Sequence, residues 1–187
     1  MYSVFGTNEH QLIFPPAYQC PDPFGVDVGG VNSALFEVAN SEATGFAQYD
    51  SWLTVGLTDG DGSNSISSLG IDFRAWDEEH ELLSATGTGG AVFWMDPHLA
   101  AAAVGADRTV VVAQLTLAGQ PGSGRSEMAR FDAQGLNPEG ASGTRNWETN
   151  CITVMVGGSE NGQGSHAVGS QHSSSTTPSP APPAGPG

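Results

Sequence analysis

Short apolar runs bounded by turn residues recur along residues 1–156 of the chain. In the clearest run, residues 109–117, the first half is continuously apolar and the second half alternates apolar and polar side chains. This pattern is typical of a strand that is buried on both faces over part of its length. The runs predict about eight strands, which lie at residues 11–14, 34–38, 51–57, 69–73, 91–95, 109–117, 127–133 and 150–156.

Helical signal is weak beside this strand pattern. Residues 77–83 have the length of two helical turns, and residues 97–104 begin with a proline that is followed by four consecutive alanines within the run. Proline is favoured at the start of a helix and alanine in its interior. Regularly spaced strands with Gly-rich turns and one or two short helices predict an all-β fold, and specifically an antiparallel β-sandwich.

The composition changes after Val156. Residues 157–187 contain one charged residue, Glu160, and no aromatic residue, and they end in a run of Ser and Thr followed by Pro. Such a segment buries too little apolar surface to offset the entropy of ordering it. We therefore predict a folded domain at residues 1–156 and a disordered spacer at 157–187, which is either an unmodified linker or an O-glycosylated stalk.

The charge balance excludes several classes of function. The 187 residues include 20 acidic and 5 basic side chains, for a net charge of −15, and lysine is absent. Nucleic-acid binding and docking on anionic membranes both need a basic surface. No run approaches the roughly 18 apolar residues of a membrane-spanning helix. We expect neither a nucleic-acid partner nor membrane insertion.

Cys20 and Cys151 are the two cysteines of the chain. A disulfide between them would close a loop of about 130 residues and stabilise the fold by about 4–5 kcal/mol in the chain-entropy model. The alternative is two free thiols that behave as small apolar side chains. The disulfide is favoured because other features of the chain indicate an extracellular location, where such bonds persist. The N-terminus lacks the basic and apolar regions of a signal peptide, which fits either an intracellular protein or a mature or internal segment of a longer secreted precursor.

An acidic, Gly-rich turn is the best candidate for a cofactor site. Asp59, Asp61 and Asn64 offer the oxygen ligands that Ca²⁺ requires, with Asp50 and Asp96 available from neighbouring loops. The EF-hand pattern is not met, because Asn64 stands where that loop needs glycine. The alternative is that the Asp-Gly pairs only form tight turns between strands. Calcium is the one cofactor that the sequence suggests.

Trp76 and Trp94 are candidate contacts for a glycan, although core packing is the commoner role of a single tryptophan. Catalytic motifs are missing from the sequence. There is no Gly-x-Ser-x-Gly turn, no lysine for a phosphate-binding loop and no His-x-x-x-His pair. We assign no catalytic residue.

The N-terminal apolar segment is a candidate for self-assembly. Val4, Phe5, Leu12, Ile13 and Phe14 lie near the chain terminus, where a strand can be donated to the sheet of a neighbouring copy. The alternative is that the segment pairs within its own domain, since one sequence does not reveal strand register.

Four regions carry a resemblance to a known module: PFGVDVGGVN at 23–32, YDSWLTVGLTDGD at 49–61, SSLGIDF with the nearby tryptophan at 67–76, and GGAVFWMDP with VVVAQLTL at 89–97 and 110–117. Together they resemble a module that is often repeated in large secreted or cell-surface proteins of unicellular algae. The Ala-rich stretch 98–106 departs from that pattern. The resemblance implies an extracellular location and no known activity.

These observations rank three functions. The first is an extracellular structural module of a surface fibre, cell wall or matrix, with copies of itself or other surface proteins as partners. The second is a Ca²⁺-dependent carbohydrate-binding or adhesion module, and the third is a secreted hydrolase with a carboxylate pair.

Overall fold

The computed structural model describes residues 1–61, 64–96, 109–117, 127–136 and 146–156. Within these ranges the regular structure consists of strands and three single 3-10 turns, at Ser33–Leu35, Ala47–Tyr49 and Phe73–Ala75. The predicted all-β fold is confirmed. The strands are β1 (Ser3–Gly6), β2 (Ile13–Phe14), β3 (Asn40–Ser41), β4 (Gly45–Phe46), β5 (Trp52–Leu53), β6 (Ile66–Leu69), β7 (Leu82–Leu83), β8 (Gly90–Trp94), β9 (Ala113–Gln114), β10 (Glu127–Leu136) and β11 (Asn146–Val156).

The main sheet is antiparallel and has the order β6-β8-β1-β10-β2-β7, with β11 also paired to β10. Strand β1 lies in its middle, where Val4 is opposite Val92 of β8 and Ala133 of β10. Strand β10 is long enough to pair with β1, with β2 at Arg130, and with β11 along its whole length. Two further ladders, β3–β4 and β5–β9, complete the described strands.

The architecture is sandwich-like because the β5–β9 ladder shares one apolar core with the main sheet. Val4, Phe14 and Val92 of the sheet belong to the same buried cluster as Leu53 and Val55. Phe14 stacks on Phe131 with ring centroids 5.8 Å apart and planes 4° from parallel. Burying such side chains stabilises the fold by about 1.5–3 kcal/mol each.

A second, smaller core lies beneath the loops that precede β5. Its buried members are Cys20, Val31, Ala39, Ala47 and Trp52. The surrounding segments have little regular structure, so their backbone groups need other partners. Side chains supply part of these partners, and the buried carboxylate of Asp50 is one of them.

Three element predictions were wrong for a shared reason. The side chain of Asn32 accepts a hydrogen bond from the Ala34 N–H at 2.9 Å, and this caps a 3-10 turn where a strand was predicted at 34–38. Asp72 caps the turn that replaces the end of the predicted strand 69–73. Asp77 accepts from two N–H groups further along the chain, and this local turn replaces the predicted helix at 77–83. Asx side chains offer the backbone alternatives to helices and strands.

The predicted helix at 97–104 and the predicted spacer at 157–187 lie outside the described residues. Within the described ranges, no helix has the length and hydropathy to cross a bilayer.

Candidate functional site

A β-bulge between β10 and β11 forms the most unusual site in the described structure. Phe131 pairs with Ile152 and Ala133 pairs with Thr149, so that Asp132 alone is opposite two residues, Asn150 and Cys151. Bulges of this kind redirect side chains and are common next to functional sites.

Cys151 adopts the left-handed backbone conformation at this bulge, with φ of 57°. This region is unfavourable for residues other than glycine and costs about 1–2 kcal/mol. The Cys151 N–H donates to Oδ1 of Asp132 at 2.7 Å, and the side chain is a free, exposed thiol. The bulge therefore presents a cysteine at the surface directly above a buried carboxylate.

His10 reaches the same place from the turn between β1 and β2. The Thr7 hydroxyl accepts from the N–H groups of Glu9 and His10 at 3.2 and 3.0 Å, and the Thr7 N–H donates to the His10 carbonyl at 2.8 Å. This turn places Nδ1 of His10 3.7 Å from Oδ2 of Asp132. That distance is within ion-pair range but exceeds a hydrogen bond.

The carboxylate of Asp132 is fully buried and only half satisfied. Its relative exposure is 0%, and Oδ2 is the one buried side-chain oxygen or nitrogen in the described residues that lacks a hydrogen-bond partner. Burial raises the pKa of Asp132 above its ordinary value, the Cys151 N–H and the charge of His10 lower it, and Glu148 raises it. A buried polar atom without a partner costs about 1–3 kcal/mol, so this oxygen needs a structural or functional explanation.

The three side chains converge on one point. One ligand atom each from His10, Asp132 and Cys151 lies within 4.8 Å of the other two. Imidazole nitrogen, carboxylate oxygen and thiol sulfur together form a donor set that suits a borderline-soft metal ion.

In a second group, Asp77, Glu79 and His80, the ligand atoms also lie within 4.8 Å of one another. Its geometry is explained by local structure, because Asp77 accepts from the backbone N–H groups of Glu79 and His80 and contacts Nδ1 of His80 at 2.7 Å. These hydrogen bonds lower the pKa of Asp77. The group borders an open acidic groove of about 770 Å³. Its lining residues include Glu78, Glu79, Glu81, Leu83 and Glu127.

The residues predicted to bind calcium are not brought together. Asp59 accepts from the Ser33 N–H at 2.6 Å and Asp61 from the Ile66 N–H at 2.7 Å. Asn64 has a positive φ of 49° within the turn, and Asp96 is exposed just after β8. Among the described residues, no three carboxylates of this set come within 4.8 Å of one another. The side chain of Asp59 therefore links its loop to Ser33, and that of Asp61 links its turn to the start of β6.

Asp50, the fourth carboxylate of that predicted set, is buried and connects separate backbone segments by hydrogen bonds. Its Oδ1 accepts from the Cys20 N–H at 2.8 Å and its Oδ2 from the Val26 N–H at 2.7 Å. Nε2 of Gln114 on β9 donates to the Asp50 carbonyl at 2.8 Å. Desolvation raises the pKa of Asp50 to about 6, although the backbone N–H groups of Cys20, Val26 and Ser51 lower it.

The two predicted glycan contacts were wrong, because both tryptophans are buried. Trp76 is 2% exposed, and its indole N–H donates to the Pro15 carbonyl at 2.9 Å. Trp94 is 6% exposed and donates to the Val55 carbonyl at 2.7 Å. Both rings fill the core with their one polar atom satisfied, so neither offers a face to a sugar.

The predicted disulfide is not formed either. Cys20 is a free thiol buried in the second core, and burial raises its pKa. Its sulfur lies 4.0 Å from the Thr44 carbonyl oxygen, whereas Cys151 is exposed beside Asp132. The two cysteines thus belong to different parts of the fold.

The candidate self-assembly segment is paired within its own chain. Val4 and Phe5 lie on β1 between β8 and β10, while Ile13 and Phe14 lie on β2 between β10 and β7. Val4, Leu12 and Phe14 are 1% exposed or less. The N-terminal segment therefore pairs within its own domain, which was the alternative to strand donation.

Sequence reasoning missed the site formed by His10, Asp132 and Cys151. These residues are far apart in the chain and match no spacing motif. The bulge that brings Asp132 and Cys151 together cannot be recognised from the pattern of apolar residues. Comparisons of the chain with protein-family models, with curated proteins and with solved structures found no match.

Proposed function

We propose that the protein is a structural module of an extracellular surface fibre, cell wall or matrix, and that copies of it associate by extending the main sheet at β11. The observation that supports this proposal is the length and composition of that edge strand.

Strand β11 offers an open edge for pairing. It has 11 residues, and among the described strands it pairs with β10 alone. Its sequence, NWETNCITVMV, contains no lysine and no proline and a single acidic residue, Glu148. Proteins that stay monomeric protect their sheet edges with short strands, lysine, proline or β-bulges. Of these devices β11 carries only the bulge at Asn150 and Cys151, and the length of strand on either side of it favours the addition of a further strand.

Apolar side chains accompany this edge. Met155 of β11 and Met128 of β10 form a cross-strand pair and are 55% and 42% exposed. Trp147 is 39% exposed, and its indole lies against Gly135, where a Cβ atom would collide with the ring. Exposed apolar residues next to an open strand edge gain burial when a second sheet adds to it.

A fibre requires contact between two different edges. Two β11 strands that pair with each other form a closed dimer, whereas β11 paired with another edge continues as a filament. Strand β6 supplies such an edge, because it pairs with β8 alone among the described strands and carries Leu69 at 72% exposure. The fibre proposal therefore rests on the pairing of β11 with β6.

Electron microscopy and analytical ultracentrifugation of the full chain test this proposal, with Met155→Lys as the key variant. A charged side chain on the edge opposes strand addition, so we expect filaments from the natural chain and smaller species from the variant. Val38→Lys is the matched control, since Val38 is 62% exposed and lies outside the main sheet. A natural chain that stays monomeric at every concentration, or equal effects of the two variants, would contradict the proposal.

A further inference from the structure

The bulge site offers three donors to one ion. We propose that His10, Asp132 and Cys151 bind a Zn²⁺ ion, which Nδ1 or Nε2 of the imidazole, Oδ2 of the carboxylate and the thiolate sulfur coordinate. The proposal is independent of the assembly function, since it rests on the geometry of these three side chains.

The unpartnered oxygen of Asp132 is the first argument. Oδ1 is occupied by the Cys151 N–H, but Oδ2 is buried without a hydrogen bond, in a residue whose relative exposure is 0%. The atom exposes less than 1 Å² to solvent and has no hydrogen-bond partner in the described residues, so its desolvation is uncompensated. A cation bound between Oδ2 and the imidazole supplies the missing partner.

The spacing of the donors is the second argument. Nδ1 of His10 and Oδ2 of Asp132 are 3.7 Å apart, whereas a direct hydrogen bond would bring them to about 2.7–3.2 Å. Tetrahedral zinc, with bonds of about 2.0–2.2 Å to nitrogen and oxygen, separates two such donors by about 3.4 Å. The observed gap is close to that of two ligands of one ion. All three donor atoms lie within 4.8 Å of one another, so the thiol sulfur, with its longer bond of about 2.3 Å to zinc, is also within reach of the same ion.

The donor types select the metal. Calcium and magnesium take oxygen ligands almost exclusively, so a thiolate and an imidazole disfavour them. Zinc binds cysteine, histidine and aspartate, and three protein ligands with a further open position are typical of its accessible sites. His10 and Cys151 both reach the surface, so an ion has a path to the buried oxygen.

A cysteine nucleophile activated by His10 is less consistent with the geometry. Such an arrangement needs the third residue to orient the imidazole by a hydrogen bond of about 2.6–3.2 Å. Asp132 stands outside that distance from Nδ1 of His10. It also gives its other oxygen to the Cys151 backbone.

Calorimetric titration of the reduced full chain with ZnCl₂ tests the site, with Cys151→Ala and His10→Gln as the key variants. Both side chains reach the surface, so the variants are expected to fold. We expect one Zn²⁺ per natural chain and affinity lowered by about tenfold or more in each variant. Co²⁺ provides a second readout, because a thiolate–cobalt charge-transfer band in the natural chain should be absent from Cys151→Ala.

Two controls identify the source of any binding. His80→Gln disrupts the other His–carboxylate group, and the double variant His166→Gln, His172→Gln removes the histidines of the C-terminal segment. Both controls should bind Zn²⁺ as the natural chain does. Unchanged affinity in Cys151→Ala and His10→Gln, no Zn²⁺ binding by the natural chain, or loss of binding confined to the controls would overturn the proposal.

Discussion

The loop region around Asp50 and the bulge around Asp132 each bury an aspartate completely, but they treat its two oxygens differently. Both side chains belong to residues with 0% exposure. At Asp50 each oxygen accepts a backbone N–H, from Cys20 and from Val26. At Asp132 only Oδ1 has such a donor, and Oδ2 has none. Equal burial therefore accompanies two roles: the paired oxygens of Asp50 hold backbone segments together, whereas the unpaired oxygen of Asp132 belongs to the metal site that we propose.

The largest expected effect is on stability at Asp50. Asp50→Ala leaves the buried N–H groups of Cys20 and Val26 without an acceptor, and each such loss costs about 1–3 kcal/mol. We expect the free energy of unfolding to fall by about 3–5 kcal/mol in urea denaturation. A loss below about 1 kcal/mol would show that the loops do not depend on this carboxylate.

The pH dependence of stability is the next largest effect. The pKa of Asp50 is about 6 in the folded protein and about 3.9 in an unfolded chain. Between these values the folded state holds the proton more tightly, so stability falls as pH rises through this window and levels off above it. The decline from this group is at most about 3 kcal/mol.

Urea denaturation from pH 4 to pH 7.5 measures this decline, with Asp50→Asn as the variant that does not titrate at this position. The decline should be smaller in Asp50→Asn. Burial also raises the pKa of Asp132, so part of the decline should remain in that variant. A stability that rises with pH over the same window, or an identical slope in both chains, would contradict the assignment to Asp50.

Replacing each buried aspartate by asparagine is expected to change the free energy of unfolding by a smaller amount. Asp132→Asn keeps an oxygen for the Cys151 N–H and removes a buried charge that lacks a full set of partners, so we expect a change within about 1 kcal/mol in the presence of a chelator. Asp50→Asn turns one N–H acceptor into a donor and should cost about 2 kcal/mol. Chemical denaturation of both variants checks the order, and a greater loss in Asp132→Asn would reverse our interpretation.

The smallest effect concerns the backbone at the bulge. Cys151→Gly and Cys151→Ala remove the same thiol, but only glycine adopts a φ of 57° without strain. We expect Cys151→Gly to be the more stable of the two by about 1 kcal/mol, measured by thermal or urea unfolding. Greater stability of the alanine variant would mean that this residue does not hold a left-handed conformation.

The sequence predicts the long strands of this fold better than its loops. Strands β8, β10 and β11 lie on predicted apolar runs, whereas the clearest run, residues 109–117, forms only the two-residue strand β9. The 3-10 turn at Ser33–Leu35, by contrast, depends on a single side-chain cap from Asn32. Such caps compete locally with strand propensity, and the pattern of apolar residues does not record them.

The roles of Asp50 and Asp132 could not be predicted from the sequence, for a different reason. Asp50 is 30 residues from Cys20, its N–H donor, and Asp132 is 19 residues from Cys151. Their neighbours in the chain do not reveal which donors the fold will bring to each carboxylate. From the sequence, Asp50 was therefore predicted to be a calcium ligand, and no role was predicted for Asp132.

X-ray absorption at the zinc edge, on the zinc-loaded full chain, tests the central claim most directly. The claim is that the open oxygen of Asp132 belongs to a metal site with His10 and Cys151. The account predicts one sulfur ligand at about 2.3 Å together with nitrogen and oxygen ligands at about 2.0–2.2 Å, and loss of the sulfur contribution in Cys151→Ala. A spectrum of the natural chain that contains oxygen and nitrogen neighbours alone would contradict it.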